Sequence, residues 1–259
     1  MSTILFQDII FGPVKSRRLG ISLGINLLPL NRKFCNFDCL YCECGLGNMK
    51  GRTTLPKIDQ VVAALDTKLR SMLAEGVIPD VLTFAGNGEP TIHPDFPAII
   101  DAVIELRERW VPKAKISVLS NSSRIDQADI RAALSKVDNN ILKLDSALES
   151  TVQLLNRPVK KNYSIQQQIE YMQLFEGKLI VQTLFVRGSY LGKAIDNTRE
   201  EEIVAWIEAL RKIKPQSVMI YTIDRETPVQ SLEKIPLKEL EKIARRLQDE
   251  TGLPSTVAG

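Results

Sequence analysis

Short apolar runs alternate along this chain with longer segments in which apolar residues recur every three or four positions. The short runs, such as residues 80–85 (DVLTFA), are typical of buried strands in a parallel sheet. The longer segments are typical of amphipathic helices, and the first of them spans residues 58–73 and stops before Gly76. About six strand-then-helix units follow one another without a flexible linker, which predicts one α/β domain with a parallel sheet.

Six units are too few for a closed eight-stranded barrel, so the pattern leaves an open partial barrel or a doubly wound sheet. The predicted strands are 20–29, 80–85, 115–119, 141–144, 178–186 and 217–223. The predicted helices are 58–73, 96–106, 126–134, 148–155, 164–175, 198–210 and 237–247. We expect one domain over residues 1–259, with 1–20 as an N-terminal extension and 237–259 as a C-terminal helix and tail. Ligands should gather at the carboxyl ends of the strands.

The composition is that of an ordinary globular protein, since 44% of the 259 residues are hydrophobic and 25% are charged. This excludes the collagen-like, disordered and disulfide-rich classes, and a net charge of +3 is too small to predict a polyanionic partner. The N-terminus lacks the pattern of a secretory signal, and no stretch reaches the roughly 18 apolar residues that cross a membrane. We therefore expect a cytoplasmic protein without a membrane partner.

All 4 cysteines lie between Cys35 and Cys44, in a segment without helical or strand periodicity. In the cytoplasm such clusters are more often metal sites than disulfides. The spacing Cys35-x3-Cys39-x2-Cys42 allows three thiolates to face one soft metal centre. A zinc site would need Cys44 as a fourth ligand, whereas three ligands leave one position open for another molecule. The residues alone leave both kinds of site open.

The segment CNFDCLYC resembles the cluster motif of the radical S-adenosylmethionine (radical SAM) enzymes, including the aromatic residue before the third cysteine. The resemblance implies a partial (β/α)6 barrel in which Cys35, Cys39 and Cys42 hold a [4Fe-4S] cluster. It further implies that the fourth iron binds the methionine part of S-adenosylmethionine (SAM) and that Tyr41 lies near its adenine. Cys44 is left outside this set of ligands.

A second motif, GNGEP at residues 86–90, follows the second predicted strand. Glycines allow close approach of the backbone to a ligand and permit positive φ angles, although a plain turn also uses them. The segment resembles the GGE motif of the same family, with Asn87 in place of the second glycine. The resemblance implies that Glu89 accepts the ammonium group of SAM.

Polar residues also end the later strands. Lys143 and Asp145 fall on one face of the fourth strand, where they form either a pair in the barrel lumen or a pair at the solvated rim. Gln182 and Tyr221 stand in the fifth and sixth strands. The candidate residues for SAM are Tyr41, Gly86, Asn87, Gly88, Glu89, Ser120, Asn121, Lys143 and Asp145.

The branch of the family related to wyosine-base tRNA synthases is most similar, through the segments GPVKSRRLGISLG, GNGEPTIHP, TLFVRG and IDRETP. Those enzymes carry further cysteines before the SAM motif, whereas none precedes Cys35 here. The resemblance implies a flavodoxin- or ferredoxin-like electron donor and reductive cleavage of SAM to a 5′-deoxyadenosyl radical, which abstracts hydrogen from an unidentified substrate.

Basic residues flank the cysteine segment and are compatible with RNA or a nucleotide as the substrate. They are Lys15, Arg17, Arg18, Arg32, Lys33, Lys50 and Arg52. Two other functions remain open at this point, an iron–sulfur electron carrier and a zinc-stabilised RNA-binding module.

Overall fold

The centre of the fold is one ten-stranded sheet, in a computed structural model that describes residues 4–16, 20–47 and 53–259. Its strands are β1 (Ile10–Ser16), β2 (Gly20–Ile25), β3 (Val81–Phe84), β4 (Lys115–Ser120), β5 (Asn139–Lys143), β6 (Ile180–Tyr190), β7 (Lys193–Asp196), β8 (Ser217–Thr222), β9 (Leu232–Lys234) and β10 (Ser255–Ala258). The main path runs β1-β2-β3-β4-β5-β6-β8-β10 and does not close on itself. All its pairs from β2 onward are parallel, which confirms the predicted partial barrel.

Helices connect the parallel strands, as the alternating pattern predicts. They are α1 (Ile58–Ala74), α2 (Phe96–Trp110), α3 (Ala128–Leu134), α4 (Glu149–Leu155), α5 (Ile165–Gln173), α6 (Glu200–Ile213) and α7 (Leu237–Thr251). Each longer helix buries one apolar face; Val61, Leu65 and Leu69 of α1, for example, belong to the main hydrophobic core. Among the described residues, no helix is both long and apolar enough to cross a bilayer.

Four strands lie outside the predicted set. β1 falls within the expected N-terminal extension and pairs antiparallel with β2, and β10 falls within the expected C-terminal tail and pairs in parallel with β8. β6 continues beyond its parallel pairing with β8 and there pairs antiparallel with β7 and β9. These four strands are short or stand at an edge of the sheet. Their alternation of apolar and polar residues is too brief to predict a strand, and they form because the fold brings a partner strand alongside.

Candidate active site

A cavity of about 350 Å³ opens at the carboxyl ends of the parallel strands. Its walls come from the cysteine segment between β2 and α1 and from residues at the ends of β3, β4, β5, β6 and β8. The three predicted cluster ligands line it, together with Tyr41, Gly86, Gly88, Glu89, Ser120, Asn121 and Lys143. The fold therefore brings these motifs, which are distant in sequence, together at the edge of the sheet where we expected ligands to gather.

The backbone of the cysteine segment is held by two other parts of the fold. Phe34 donates its N–H to the carbonyl oxygen of Asn87 at 2.7 Å, beside the bridge between Phe34 and Gly88. On the opposite side, the N–H of Leu40 donates to the carbonyl oxygen of Leu155 at 3.0 Å. The segment is thus a loop that neighbours on both sides position.

Two of the three cysteine sulfurs accept hydrogen bonds from amide groups. The Cys35 Sγ accepts from the N–H of Phe37 at 3.4 Å and from Asn121 Nδ2 at 3.5 Å, and the Cys39 Sγ accepts from Asn156 Nδ2 at 3.6 Å. Burial raises the pKa of the Cys35 thiol and raises that of Cys39 to about 11. Both thiols therefore stay protonated until a positive centre displaces the proton, as a bound metal does.

Cys42 differs from the other two because a hydrogen bond from Cys44 lowers its pKa to about 6 against the effect of burial. Cys44 also approaches the carbonyl oxygen of Gly86 at 3.6 Å. Within the described ranges, no three His, Cys, Asp or Glu side chains are gathered closely enough to hold a single ion. Three thiols that line one cavity, two of them with amide donors directed at sulfur, fit the ligands of an iron–sulfur cluster.

Lys33 is a buried cation beside these thiols. Its Nζ donates to Asp38 Oδ1 at 3.1 Å and to the carbonyl oxygen of Gly45 at 2.9 Å. Burial lowers the pKa of Lys33, but the neighbouring Cys42, Cys35 and Asp38 more than offset this effect, so its pKa lies above the ordinary value. The structure therefore places a buried positive charge next to the predicted cluster ligands.

The two glycines of GNGEP adopt φ angles of +149° at Gly86 and +144° at Gly88. A Cβ atom at Gly88 would lie 2.0 Å from the carbonyl oxygen of Phe34, and one at Gly86 would lie 2.3 Å from Asn26 Oδ1. We expected these glycines to admit a ligand. The close approaches that require them are made by the cysteine segment and by Asn26, although both glycines also line the cavity.

Asn87, one of the candidate SAM contacts, is not among the residues that line the cavity. Its fully buried side chain accepts from the N–H of Phe6 at 2.8 Å and donates to the carbonyl oxygens of Phe6 and Pro29, each at 2.8 Å. The side chain of Asn87 therefore ties the N-terminal segment to the site.

Glu89 lines the cavity but is already bonded on both carboxylate oxygens. Oε1 accepts from Thr91 Oγ1 at 2.6 Å and from Ser120 Oγ at 2.9 Å, while Oε2 accepts from the N–H of Asn121 at 2.5 Å. Burial raises the pKa of Glu89, and these hydrogen bonds oppose the change. A carboxylate has about four acceptor positions, so Oε2 keeps one for a further donor.

Asp145 is fully buried and joins three parts of the site without lining the cavity. The Tyr41 hydroxyl and Asn156 Nδ2 donate to Oδ2, the latter at 2.7 Å, and the N–H of Leu184 donates to Oδ1 at 2.9 Å. Burial and the charge of Asp145 raise the pKa of Tyr41 well above its ordinary value, so the hydroxyl remains a donor. Asp145 therefore supports Tyr41, Asn156 and the backbone of β6, and its contact with SAM stays a prediction.

Lys143 points into the lumen, as the first of the two expected arrangements requires. Its Nζ lies 3.5 Å from Asp145 Oδ1, donates to the Tyr221 hydroxyl at 3.0 Å, and stands 5.0 Å from the centre of the Tyr41 ring. Burial lowers the pKa of Lys143, but the charge of Asp145 and the bond to Tyr221 more than offset it, so the pKa lies above its ordinary value. Lys143 is a cation at the cavity wall.

Asn156, which donates to Cys39, Tyr41 and Asp145, was not predicted, because it stands at the end of a short helix where an asparagine has no local signal. Gln182 and Tyr221 line the cavity, and their polarity within apolar strand patterns was the available signal. The flanking basic residues Arg17, Arg18, Lys50 and Arg52 lie outside the described residues, so an RNA or nucleotide substrate stays a prediction.

Residues 33–235 of the chain match the family model described as the radical SAM superfamily. A UPF0026 protein from Synechocystis is 30% identical over 226 residues, which cover 85% of this chain and 77% of that protein. A UPF0026 protein from Helicobacter pylori is 29% identical over 220 residues, which cover 84% of this chain and 67% of that protein.

Solved structures share the fold. A radical SAM methyltransferase from Sphaerobacter thermophilus aligns with a TM-score of 0.68 at 15% identity, over 92% of this chain and 65% of that one. The structure of TYW1 with a lysine–pyruvate adduct bound aligns with a TM-score of 0.59 at 13% identity, over 89% of this chain and 74% of that one. This chain thus spans less than two thirds of the methyltransferase.

The family match covers both the cysteine segment and the five strands, β3, β4, β5, β6 and β8, whose ends line the cavity. It therefore confirms the resemblance drawn from CNFDCLYC and GNGEP. The chain belongs to the radical SAM superfamily, whose members are enzymes with a [4Fe-4S] cluster and S-adenosylmethionine as cofactors.

Proposed function

We propose that Cys35, Cys39 and Cys42 bind the [4Fe-4S] cluster and that the open fourth position faces SAM in the cavity of about 350 Å³. The observation that carries the proposal is the meeting of these three thiols with Glu89 and Lys143 around one cavity. A [4Fe-4S] cluster held by these thiolates would supply one electron for the reductive cleavage of the S–C5′ bond of SAM, giving methionine and a 5′-deoxyadenosyl radical that would abstract hydrogen from the substrate. The electron comes from a donor such as flavodoxin or ferredoxin.

The residues that would contact SAM are the cavity-lining members of the candidate set. Glu89 offers its remaining acceptor position to the ammonium group, and Lys143 offers a cation to the carboxylate. Tyr41 presents its ring, and Gly86, Gly88, Ser120 and Asn121 present small or polar groups. Asp145 acts as a positioning residue because it bonds Tyr41 and Leu184, which line the cavity. Asn87 does so through its carbonyl oxygen, which accepts from the N–H of Phe34 beside Cys35.

Anaerobic reconstitution of the wild type and of two cysteine variants tests the assignment. We expect the wild type to show a [4Fe-4S] signal and to form 5′-deoxyadenosine from SAM with dithionite. Cys39→Ala should lose both, because one cluster iron loses its thiolate. Cys44→Ala is the matched control and should keep both, since Cys44 is outside the proposed ligand set. Loss of the cluster in Cys44→Ala alone, or no cluster in the wild type, would contradict the proposal.

Lys33→Met should shift the midpoint potential of the cluster to a more negative value. The substitution removes a buried positive charge that favours the reduced, more negative cluster. Asp38 keeps a partner, because Arg157 lies 3.6 Å from its Oδ2 and the N–H of Gly47 donates to its Oδ1. A redox titration followed by electron paramagnetic resonance measures the shift, with Lys136→Met, which removes an exposed lysine paired to Asp101, as the control. Equal potentials in all three proteins would show that Lys33 does not influence the cluster.

A further inference from the structure

A second chamber of about 160 Å³ lies deeper in the barrel lumen than the cavity described above. Ala85, Leu119 and Gln182 line both spaces, so the chamber and the cavity meet at these three residues. The chamber reaches the middle of the strands, at Ser22 and Thr83. None of the three cysteines lines it, which separates it from the proposed cluster and SAM positions.

One wall of the chamber is a pair of stacked aromatic rings. The centres of Phe6 and Phe11 are 3.7 Å apart with 20° between the ring planes. The Phe11 ring lies over Gly24 so closely that a Cβ atom there would stand 2.1 Å from it. The absence of a side chain at Gly24 therefore allows Phe11 to enter the lumen, and Phe11 with Phe6 gives the chamber an aromatic face.

The remaining walls are nearly all apolar or internally satisfied. Ile141 and Met219 add aliphatic surface, and the hydroxyls of Ser22 and Thr83 bond to each other at 2.8 Å. No Asp, Glu, Lys or Arg of the described chain lines the chamber. Charged groups are costly to transfer into such surroundings, so the chamber favours an uncharged occupant.

Gln182 is the exception, because it is a polar residue, only 7% exposed, that lines both spaces. Among the described residues, no group hydrogen-bonds its side-chain amide. The amide faces the two spaces and offers both donor and acceptor positions there, so a polar group of a bound molecule at their junction would hydrogen-bond to it.

We infer that this chamber binds the apolar end of a small, uncharged substrate whose adjacent amide, carbonyl or hydroxyl group hydrogen-bonds to Gln182. The volume suits a benzene-sized group, since apolar cavities of about 150 Å³ bind benzene. The inference rests on the proposed function, because it leaves the larger cavity to SAM. It places the hydrogen to be abstracted near Gln182, where the two spaces meet, and it keeps any phosphate of the substrate out of the chamber.

Calorimetric titration with phenylacetamide tests the inference on the reconstituted protein with SAM present. This probe combines a benzene ring with a neutral amide, and phenylacetate replaces the amide by a charge. We expect phenylacetamide to bind at least tenfold more tightly than phenylacetate. Gln182→Leu should reduce that preference at least fivefold, since the amide partner is gone.

Met219→Phe should weaken phenylacetamide binding at least tenfold, because the larger side chain fills the chamber. Ile78→Phe adds the same ring at an exposed site and is the matched control. If Met219→Phe does not fold, as judged by circular dichroism, Val14→Phe at the exposed margin of the chamber replaces it. The inference is overturned if phenylacetamide binds the chamber-filling variant as tightly as it binds the wild type. It is also overturned if SAM competes with phenylacetamide and abolishes its binding. Failure of the proposed function gives a different result: the wild type then forms no 5′-deoxyadenosine from SAM in an assay to which no probe is added.

Discussion

Gly88→Ala should remove the cluster from the protein and destabilise the fold. A Cβ atom at position 88 would lie 2.0 Å from the Phe34 carbonyl oxygen and 3.1 Å from the Cys35 Cβ, so the obstacle is mainly backbone and cannot rotate away. Relief requires that the cysteine segment separate from GNGEP, which breaks the hydrogen bond from Phe34 to Asn87. Backbone strain at φ +144° and overpacking together cost on the order of 3 kcal/mol.

Gly47→Ala is the control for this substitution. Gly47 lies in the cysteine segment at φ +119°, and no atom of the described residues lies within 4 Å of a Cβ atom built there. It therefore carries a similar strain of positive φ without the clash. Iron content after reconstitution and the thermal midpoint are measured in both variants. If Gly88→Ala binds iron as well as Gly47→Ala does, the contact between the two loops does not position the ligands.

Asp145→Asn should lower the free energy of unfolding by about 3–5 kcal/mol, the usual effect of removing one partner of a buried ion pair. The Asp145 side chain is fully buried, and its charge faces the Lys143 ammonium at 3.5 Å. An amide cannot balance that ammonium, and its NH2 group would oppose the hydrogen-bond donors that now point at the carboxylate, including Asn156 Nδ2. Denaturant unfolding measures the change.

Asp101→Asn removes the same charge from an exposed pair with Lys136, and should cost no more than about 1 kcal/mol. If Asp145→Asn lowers the free energy of unfolding by as little as this control does, the network around Tyr41 does not depend on the buried charge. Cluster content gives an independent reading, because Asn156 contacts both Asp145 and the Cys39 sulfur. We expect the cluster of Asp145→Asn to be lost faster on exposure to air.

Several side chains of the site have hydrogen-bond partners that lie far away in the sequence. Tyr41 and Asn156 are 115 positions apart, and Phe6 and Asn87 are 81 apart. No local pattern predicts such pairs, because periodicity indicates which face of an element is buried and not which residue it will meet. Lys33 shows a second limit. Its partners Asp38 and Gly45 lie only 5 and 12 positions away, but the cysteine segment has no period from which their approach, and with it the burial of Lys33, can be predicted.

The sequence by itself determined the kind of fold, the cysteine spacing and the edge at which the motifs meet. Those features depend on local physics: apolar periods of helices and strands, short ligand spacings, and the rule that parallel strands end together. Only the tertiary structure decided that Gly88 admits the cysteine segment, that Asp145 supports Tyr41, and that Phe6 and Phe11 close a second chamber. Each of these contacts depends on which surfaces pack together. Packing joins residues that are distant in sequence, and the local pattern around one residue does not indicate which other residue it will contact.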